Sequence, residues 1–311
     1  MAAPTNTHQT YQAVGRREEL ENVIYRISPT ETPFLSSLDR IGAENTFHEW
    51  QTQDLASAAN NAQVEGDDAT AVAVTPTARI GNYTQISTKT ILVSGTQQAS
   101  NNAGRANDLA YHVSLKGLEL KNDMEVALCQ NTAHAVGNGT TARQLRGLEG
   151  WIATNNDFGA GGAAPSISSN TAPTDGTARA FTESQLKAVL KLCWDQGGNP
   201  DLIMVGSGAK QTFSTFTGGA TRYDKSEDKS VTAAVDIYVS DFGTLKVVPN
   251  RRQRGRTAFV LQSDMWALAT LRPMATTALA KTGDSDRRML VTEYTLVSRQ
   301  QAASGAVRDL T

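Results

Sequence analysis

Three short stretches carry the residue types from which chemistry is usually built. Residues 205–212 read VGSGAKQT. They follow an apolar run and precede a helical pattern, the setting in which backbone amides cradle a phosphate. A nucleotide loop of that kind needs a longer Gly-to-Gly spacing, with Lys followed directly by Ser or Thr. Here the spacing is short and Gln211 follows Lys210, so the stretch reads as a tight strand-to-helix turn. Residues 250–256, NRRQRGR, are the one dense basic run. Such a run serves a nucleic-acid patch, a cluster that meets acidic residues of another copy, or a solvated turn. No aromatic residues interleave with its arginines. Residues 65–69, EGDDA, offer carboxylates but lack the alternating ligands of a calcium loop.

The remaining polar chemistry is scattered. His8, His48, His112 and His134 stand far apart, none at metal-ligand spacing from another or from a cysteine. Cys129 and Cys193 fall on apolar helical stripes, where a thiol acts as a small hydrophobe. No nucleophile, base and acid arrangement follows from spacing. The expectation is a protein without catalytic residues, cofactor or metal.

The elements that hold these residues explain more than the residues do. The chain has 311 residues, 39% hydrophobic, 19% charged and 6% aromatic, with formal net charge −2. That balance does not predict general polyanion binding. The N-terminal MAAPTNTHQT lacks a secretory pattern, and no apolar run is long enough to span a bilayer, so no membrane partner is expected. After a polar start comes NVIYRISPTETPFLSSLDRIG, where Pro29 and Pro33 enforce extended geometry and Ile24, Ile27, Phe34, Leu35 and Leu38 are spaced apolar anchors. It reads as an arm pinned at intervals.

FHEW at 47–50 and GNYTQISTKTILVSG after residue 80 read as a strand out and a strand back. Between them lies a polar stretch rich in Ala, Thr, Asn and Gln, in which Leu55 and Val64 stand almost alone. Structureless loops beyond about 15 residues are uncommon in compact domains and are usually functional or disordered. Here the pattern is an extended hairpin. A long helix follows at about 104–133, with Asn107 or Asp108 as its cap. It has two apolar stripes: Leu109, Val113, Leu120, Met124, Ala127 and Leu128 on one, Tyr111, Leu115, Leu118, Val126 and Cys129 on the other. Charges separate them, with Lys121 and Glu125 along one seam. Two apolar faces predict a helix between two layers. Residues 137–180 form a small-residue region, read as a loop or mobile insertion and anchored by Trp151 and Ile152. From Phe181 a second unit begins with a Thr182–Gln185 capping box, followed by buried strands and a short helix.

This order, with the wording ISPTETPFLSSL (27–38), Gly147–Trp151, DMWALATLRPM (264–274) and VTEYTLVSRQQAA (291–303), resembles the major capsid proteins of tailed bacteriophages. These have the Hong Kong 97-type fold, and the wording is nearest to the SU-ten-like major head proteins. The resemblance implies an α+β fold with an N-arm at 1–46 and an extended loop at 47–93. It implies a peripheral domain with a spine helix at 94–180 and 284–311, and an axial domain at 181–283. It implies self-assembly into pentamers and hexamers, an icosahedral shell around double-stranded DNA, and assembly in a bacterial cytoplasm. Separate scaffolding, portal and decoration proteins are further expected partners. The loop is then long because it lies across a neighbour. The inter-subunit residues expected are Ile27, Pro29, Pro33 and Phe34 in the arm, Trp50, Leu55, Val64, Asp67 and Arg79 in the loop, and Arg251, Arg252, Arg254 and Arg256 toward a neighbour or DNA. Some members weld the shell through a loop lysine. Here the first lysine is Lys89, at the loop's base, so a shell without crosslinks is expected. The alternatives are an encapsulin-like compartment and a nucleotide-binding α/β enzyme.

Overall fold

The computed structural model describes residues 28–68, 71–100, 102, 107–216 and 237–311. In chain order the elements are α1 (Pro33–Ser37), β1 (Asp39–Gly42), β2 (Phe47–Thr52), β3 (Ala78–Tyr83), β4 (Gln85–Ser94), α2 (Gly95–Ala99), α3 (Asp108–Cys129), α4 (Leu148–Trp151), β5 (Asn155–Asp157), α5 (Glu183–Asp195), β6 (Leu202–Val205), α6 (Ser207–Phe213), β7 (Ile237–Ser240), β8 (Gly243–Pro249), β9 (Ala258–Leu261), β10 (Trp266–Ala278), β11 (Ser285–Ser298) and β12 (Gly305–Val307). They form two sheets, ordered β1-β10-β11-β4 and β5-β12-β9-β6-β8-β7, and a separate hairpin β2-β3. Among the described residues no helix is long and apolar enough to cross a membrane.

The alternation of β4 dictates how the four-stranded sheet is covered. Ile91 and Val93 are buried with Leu290 and Leu120 of α3, and Leu109 and Val113 of α3 pack beside them. The Asn107 side chain accepts from the Ala110 amide at 2.9 Å and starts the helix there. Burial follows the length of the helix rather than one stripe: Leu120, Met124, Ala127 and Leu128 of the first stripe and Cys129 of the second are buried, while Leu109 and Val113 of the first and Tyr111, Leu115, Leu118 and Val126 of the second are half-buried. The expected seam is also different. Glu125 is fully buried while Lys121 stays exposed.

The central strands of the six-stranded sheet, β6, β9 and β12, are buried on both faces, in keeping with the unbroken apolar run LIMV in β6, while β7 and β8 at the edge keep an exposed face. Ile203 and Val205 face α5 and α6, while Leu202 and Met204 join the main core with Phe34, Leu128, Trp151, Trp266 and Tyr294. The α5 capping box forms, with the Thr182 amide donating to the Gln185 side chain at 2.9 Å.

Three expectations are corrected by this topology. The loop does not extend to residue 93, because β4 belongs to the four-stranded sheet and the hairpin ends at Tyr83. The proposed axial span 181–283 includes β10, which pairs along its length with β11 rather than with the six-stranded sheet. Residues 305–307, placed in the peripheral segment 284–311, instead lie between β5 and β9 in the six-stranded sheet. The chain crosses between the two sheets three times, from β4 to β5, from β9 to β10 and from β11 to β12.

The small-residue tract is a folded loop rather than a mobile insertion. Bridges join Ala163 to Thr174, Ser166 to Thr171 and Arg179 to Leu310. Small residues let its backbones touch: a Cβ on Gly159 would collide with the Thr177 carbonyl oxygen. Gly159→Ala is therefore expected to cost about 1–3 kcal/mol by overpacking. A thermal melt checks it, and an unchanged midpoint contradicts it.

Candidate functional site

The hairpin projects an exposed surface away from the body of the subunit. β2 and β3 pair from Phe47↔Tyr83 to Thr52↔Ala78. Beyond that pair, the described residues of 53–77 are exposed without exception. Leu55 is 98% exposed, Val64 78%, Val72 87% and Val74 87%, so none of these apolar groups packs on its own subunit. The tip is a turn in which the Asp67 amide donates to the Val64 carbonyl at 3.1 Å. Gly66 has φ +84 there, the third position of a type II turn, which favours glycine. Local bonds stiffen the stem. Arg79 pairs with Glu49 across the strands at 3.0 Å, Gln53 donates to the Thr75 carbonyl at 2.9 Å, and Thr77 to Gln51 at 3.0 Å.

The root is riveted to the body. The Trp50 indole donates to the Ser298 carbonyl at 2.8 Å, and its ring lies 5.4 Å from that of Trp151. The Asn82 amide accepts from the Arg146 N–H at 2.8 Å and donates to the Leu296 carbonyl at 2.9 Å. Arg146 is wholly buried. Its guanidinium donates to the carbonyls of Gly150, Ser166 and Ile167 and to the Asn170 side chain. It also lies 5.2 Å over the Trp151 ring. Burial pushes its pKa down to about 10, so it stays charged at neutral pH. Buried donors need acceptors, and here carbonyl oxygens supply them. Trp50 is thus a root anchor within its own subunit; Leu55, Val64 and Asp67 face outward.

The arm is latched at a second point. The Glu125 carboxylate accepts from the backbone amides of Phe34 at 2.9 Å and Leu35 at 2.7 Å, the first turn of α1. Asn250 donates to the same carboxylate at 2.7 Å. Burial raises the Glu125 pKa, and the three donors oppose that. The Pro29 carbonyl accepts from Asn122 at 3.3 Å and from Arg252 at 3.2 Å. Pro33 opens α1, and Phe34 is 1% exposed in the main core. Phe34 accordingly holds the arm on its own subunit instead of meeting a neighbour. Ile27 lies outside the described residues.

Two of the four arginines of the basic run are neutralised from within. Arg254 pairs with the buried Glu149 at 2.9 Å and with Asp175. Arg256 donates to the Gly176 carbonyl at 2.7 Å and pairs with the buried Asp309 at 3.4 Å. Arg308 approaches the same Glu149 oxygen at 3.6 Å. Burial raises the Glu149 pKa, against the pull of Arg254 and Arg308. Arg254 and Arg256 therefore bond within their own chain, because acidic residues distant in sequence converge on them, and Arg252 does so through the Pro29 carbonyl. Arg251 is exposed.

Among the described residues no group of three or more His, Cys, Asp or Glu side chains is placed to hold a metal. The VGSGAKQT turn is closed at its first glycine, where a Cβ on Gly206 would stand 3.3 Å from Gly255, and Lys210 reaches the Val247 carbonyl at 3.4 Å, while Ser207 and Gly208 are exposed. Glu125, Asn82, Arg146, Asn250 and Arg308 were not singled out by spacing. Each is a polar residue inside an apolar stretch or a loop, and its distant partner gives no local signal.

Comparison with known proteins identifies the family and the fold. The family model described as SU10 major capsid protein matches residues 3–311. The chain is 27% identical over 344 aligned positions to the major capsid protein of Escherichia phage Phieco32, covering 99% of this chain and 97% of that protein. Among solved structures it is similar to the mature capsid of bacteriophage PhiM1, with TM-score 0.61 and 9% identity over 97% of this chain and 96% of that one. The capsid of cyanophage A-1(L) gives TM-score 0.61 and 14% identity, over 97% and 98%.

Proposed function

The chain belongs to the SU10 major capsid protein family, and from that premise we propose how each surface of one copy is used. It is a structural component of the virion, the major capsid protein of a tailed phage, and it has the Hong Kong 97-type α+β fold. No observation favours the encapsulin-like or nucleotide-binding alternatives.

The arm to residue 46 fixes the entry of the chain, and the hairpin 47–83 is the clasp laid across a sister subunit. The four-stranded sheet with α3 forms the peripheral unit, and the six-stranded sheet with α5 and α6 the axial unit. Leu55, Val64, Asp67 and the exposed face of Arg79 meet the neighbour. Arg251 faces a neighbour or the packaged double-stranded DNA. Copies close into pentamers and hexamers of an icosahedral shell, assembled in the host cytoplasm with a separate scaffolding protein, a portal and decoration proteins.

The observation that carries this reading is the exposure of Leu55, Val72 and Val74 on a stem fixed to the body. Isolated apolar groups held away from their own core gain burial only from another molecule, and many modest contacts add up in a closed assembly. The expressed protein, with its scaffolding protein supplied, is expected to give closed hollow particles in negative stain. A monodisperse monomer at high concentration, with residues 53–77 protected on its own body, contradicts the reading.

The shell is held without covalent welds. Lys89 sits in β4, paired with Asp123 at 2.6 Å. That bond and charge raise its pKa, which holds it as an ammonium and away from the neutral amine that an isopeptide bond requires. Particles boiled in SDS are expected to run as one band at the mass of a subunit. A ladder of multiples would refute this.

A further inference from the structure

We propose that His134 is a proton-operated catch at the root of the hairpin. Neutral, it holds the loop after α3 against the hairpin; protonated, it lets go. The proposal rests on the clasp reading and concerns how firmly the clasp is hinged to its own body.

The imidazole sits where several segments meet. Phe47 and Tyr83 are the paired residues at the inner end of the hairpin, with their rings 4.4 Å apart. The His134 ring lies 5.2 Å from Tyr83 and 6.1 Å from Phe47, inclined to both. Its backbone is tied to Asn170 in both directions. The His134 N–H donates to the Asn170 side-chain oxygen at 3.2 Å, and its carbonyl accepts from the Asn170 amide at 2.8 Å. Asn170 also accepts from the Arg146 guanidinium at 2.8 Å, and the Arg146 N–H reaches Asn82 of β3. A closed circuit of contacts therefore runs from β3 through Arg146 and Asn170 to His134, and back to the hairpin. On its outer side His134 borders a cleft of about 740 Å³, lined also by Ile80 and Gly81 of the hairpin and by residues 165–168 of the body. The cleft gives a proton from solvent access to the ring.

The surroundings accept the neutral ring and oppose the charged one. Nδ1 is buried with no hydrogen-bond partner among the described residues. A neutral imidazole can leave one nitrogen without a proton, but an imidazolium must place an N–H there. The segment 143–146 brings two cations, Arg146 and an Arg143 already paired with Glu293. The hairpin brings Tyr83 and, along the cleft, Arg79, which is paired with Glu49. Asp54 lines the same cleft and accepts from Gln300 at 2.8 Å. Residues 165–170 bring no titratable group. Burial first, and the Arg146 charge second, hold the His134 pKa below its ordinary value of 6.5. A histidine whose folded value lies below its unfolded one leaves the contact intact above that pH and weakens it as the pH falls. His48, whose pKa is also lowered by burial, stands 5.9 Å from Trp50 on the same hairpin and is the rival proton acceptor.

Hydrogen exchange on the full-length subunit before assembly tests this. The reporters are the Thr84 amide, bonded to the Thr46 carbonyl, and the amides of Ala135 and Gln144, each bonded to the other's carbonyl. After correction for intrinsic rates, they are expected to exchange at least about tenfold faster at about pH 5 than at about pH 7.5. Amides of 258–261 in the six-stranded sheet should change little. His134→Gln should abolish the pH response, and His48→Gln should keep it. Root amides that ignore pH in the wild-type chain overturn the proposal, as does a response that survives in His134→Gln. If His134→Gln does not fold, an NMR titration of the wild-type ring decides, assigned by removing His8, His48 and His112 in turn. A midpoint at or above 6.5 overturns the catch. These measurements need no shells, so they succeed or fail apart from the clasp reading, which is struck if the wild-type chain forms no shells.

Discussion

Replacing residues 53–77 by a two-residue Asn-Gly turn yields a folded, soluble subunit that forms no shells. The replacement is permitted by the register. Thr52 and Ala78 are the last paired residues of the stem, and a two-residue turn of this type closes an antiparallel pair. The described part of the deleted stretch is exposed throughout, and the Trp50 and Asn82 anchors of the root remain. The body of the subunit thus loses no core contact. Assembly loses the contact through which each copy holds the next. Because linked contacts multiply in a closed particle, the expected loss is at least about a hundredfold in particle yield. Sedimentation and negative stain read it directly. Normal shells from the shortened chain would remove the clasp from the mechanism, and an unfolded product would show that the loop serves its own subunit.

The shortened subunit also serves as the host for the second prediction. Glu125→Ala is expected to lower its stability by about 3–5 kcal/mol, because it strands three buried neutral donors at once. The cost comes from the donors left behind. The amides of Phe34 and Leu35 and the Asn250 side chain all point at this carboxylate, and a buried donor without an acceptor costs about 1–3 kcal/mol. A fall in melting temperature of about 10 °C corresponds to this loss for a protein of this size. Glu125→Gln retains an acceptor oxygen and should lose less. A shift within about 2 °C for the alanine variant would show that the arm is not held by this latch.

The same residue shows where a single sequence stops being informative. On a helical wheel Glu125 sits beside Lys121 on a charged seam, and only the arrival of α1, some ninety residues earlier in the chain, makes it interior. The hairpin was legible because it has no helical stripe and is bounded by strand patterns. The capping box at Thr182 and the buried strands of 202–205 and 258–261 were legible for similar local reasons. The sheet membership of β10 and β12 was not. A strand pattern fixes which face is apolar, but not which strand lies beside it. The basic run misled in a related way. Arg254 and Arg256 are dense in sequence, yet Glu149, Asp175 and Asp309 reach them from three other segments.

The six-stranded sheet has a consequence for timing. Its members come from 155–157, 202–205, 237–249, 258–261 and 305–307, so closing it requires contacts between segments very far apart along the chain. Such sheets form slowly, whereas the hairpin draws on residues 47–83 alone and so is made early in the chain. A nascent molecule therefore displays its adhesive hairpin well before its body is finished. Premature association among half-made molecules is the characteristic hazard of this order of events. It makes the yield of correct particles depend on how fast the polypeptide is supplied, with slow, dilute production favouring sound shells over tangled aggregates.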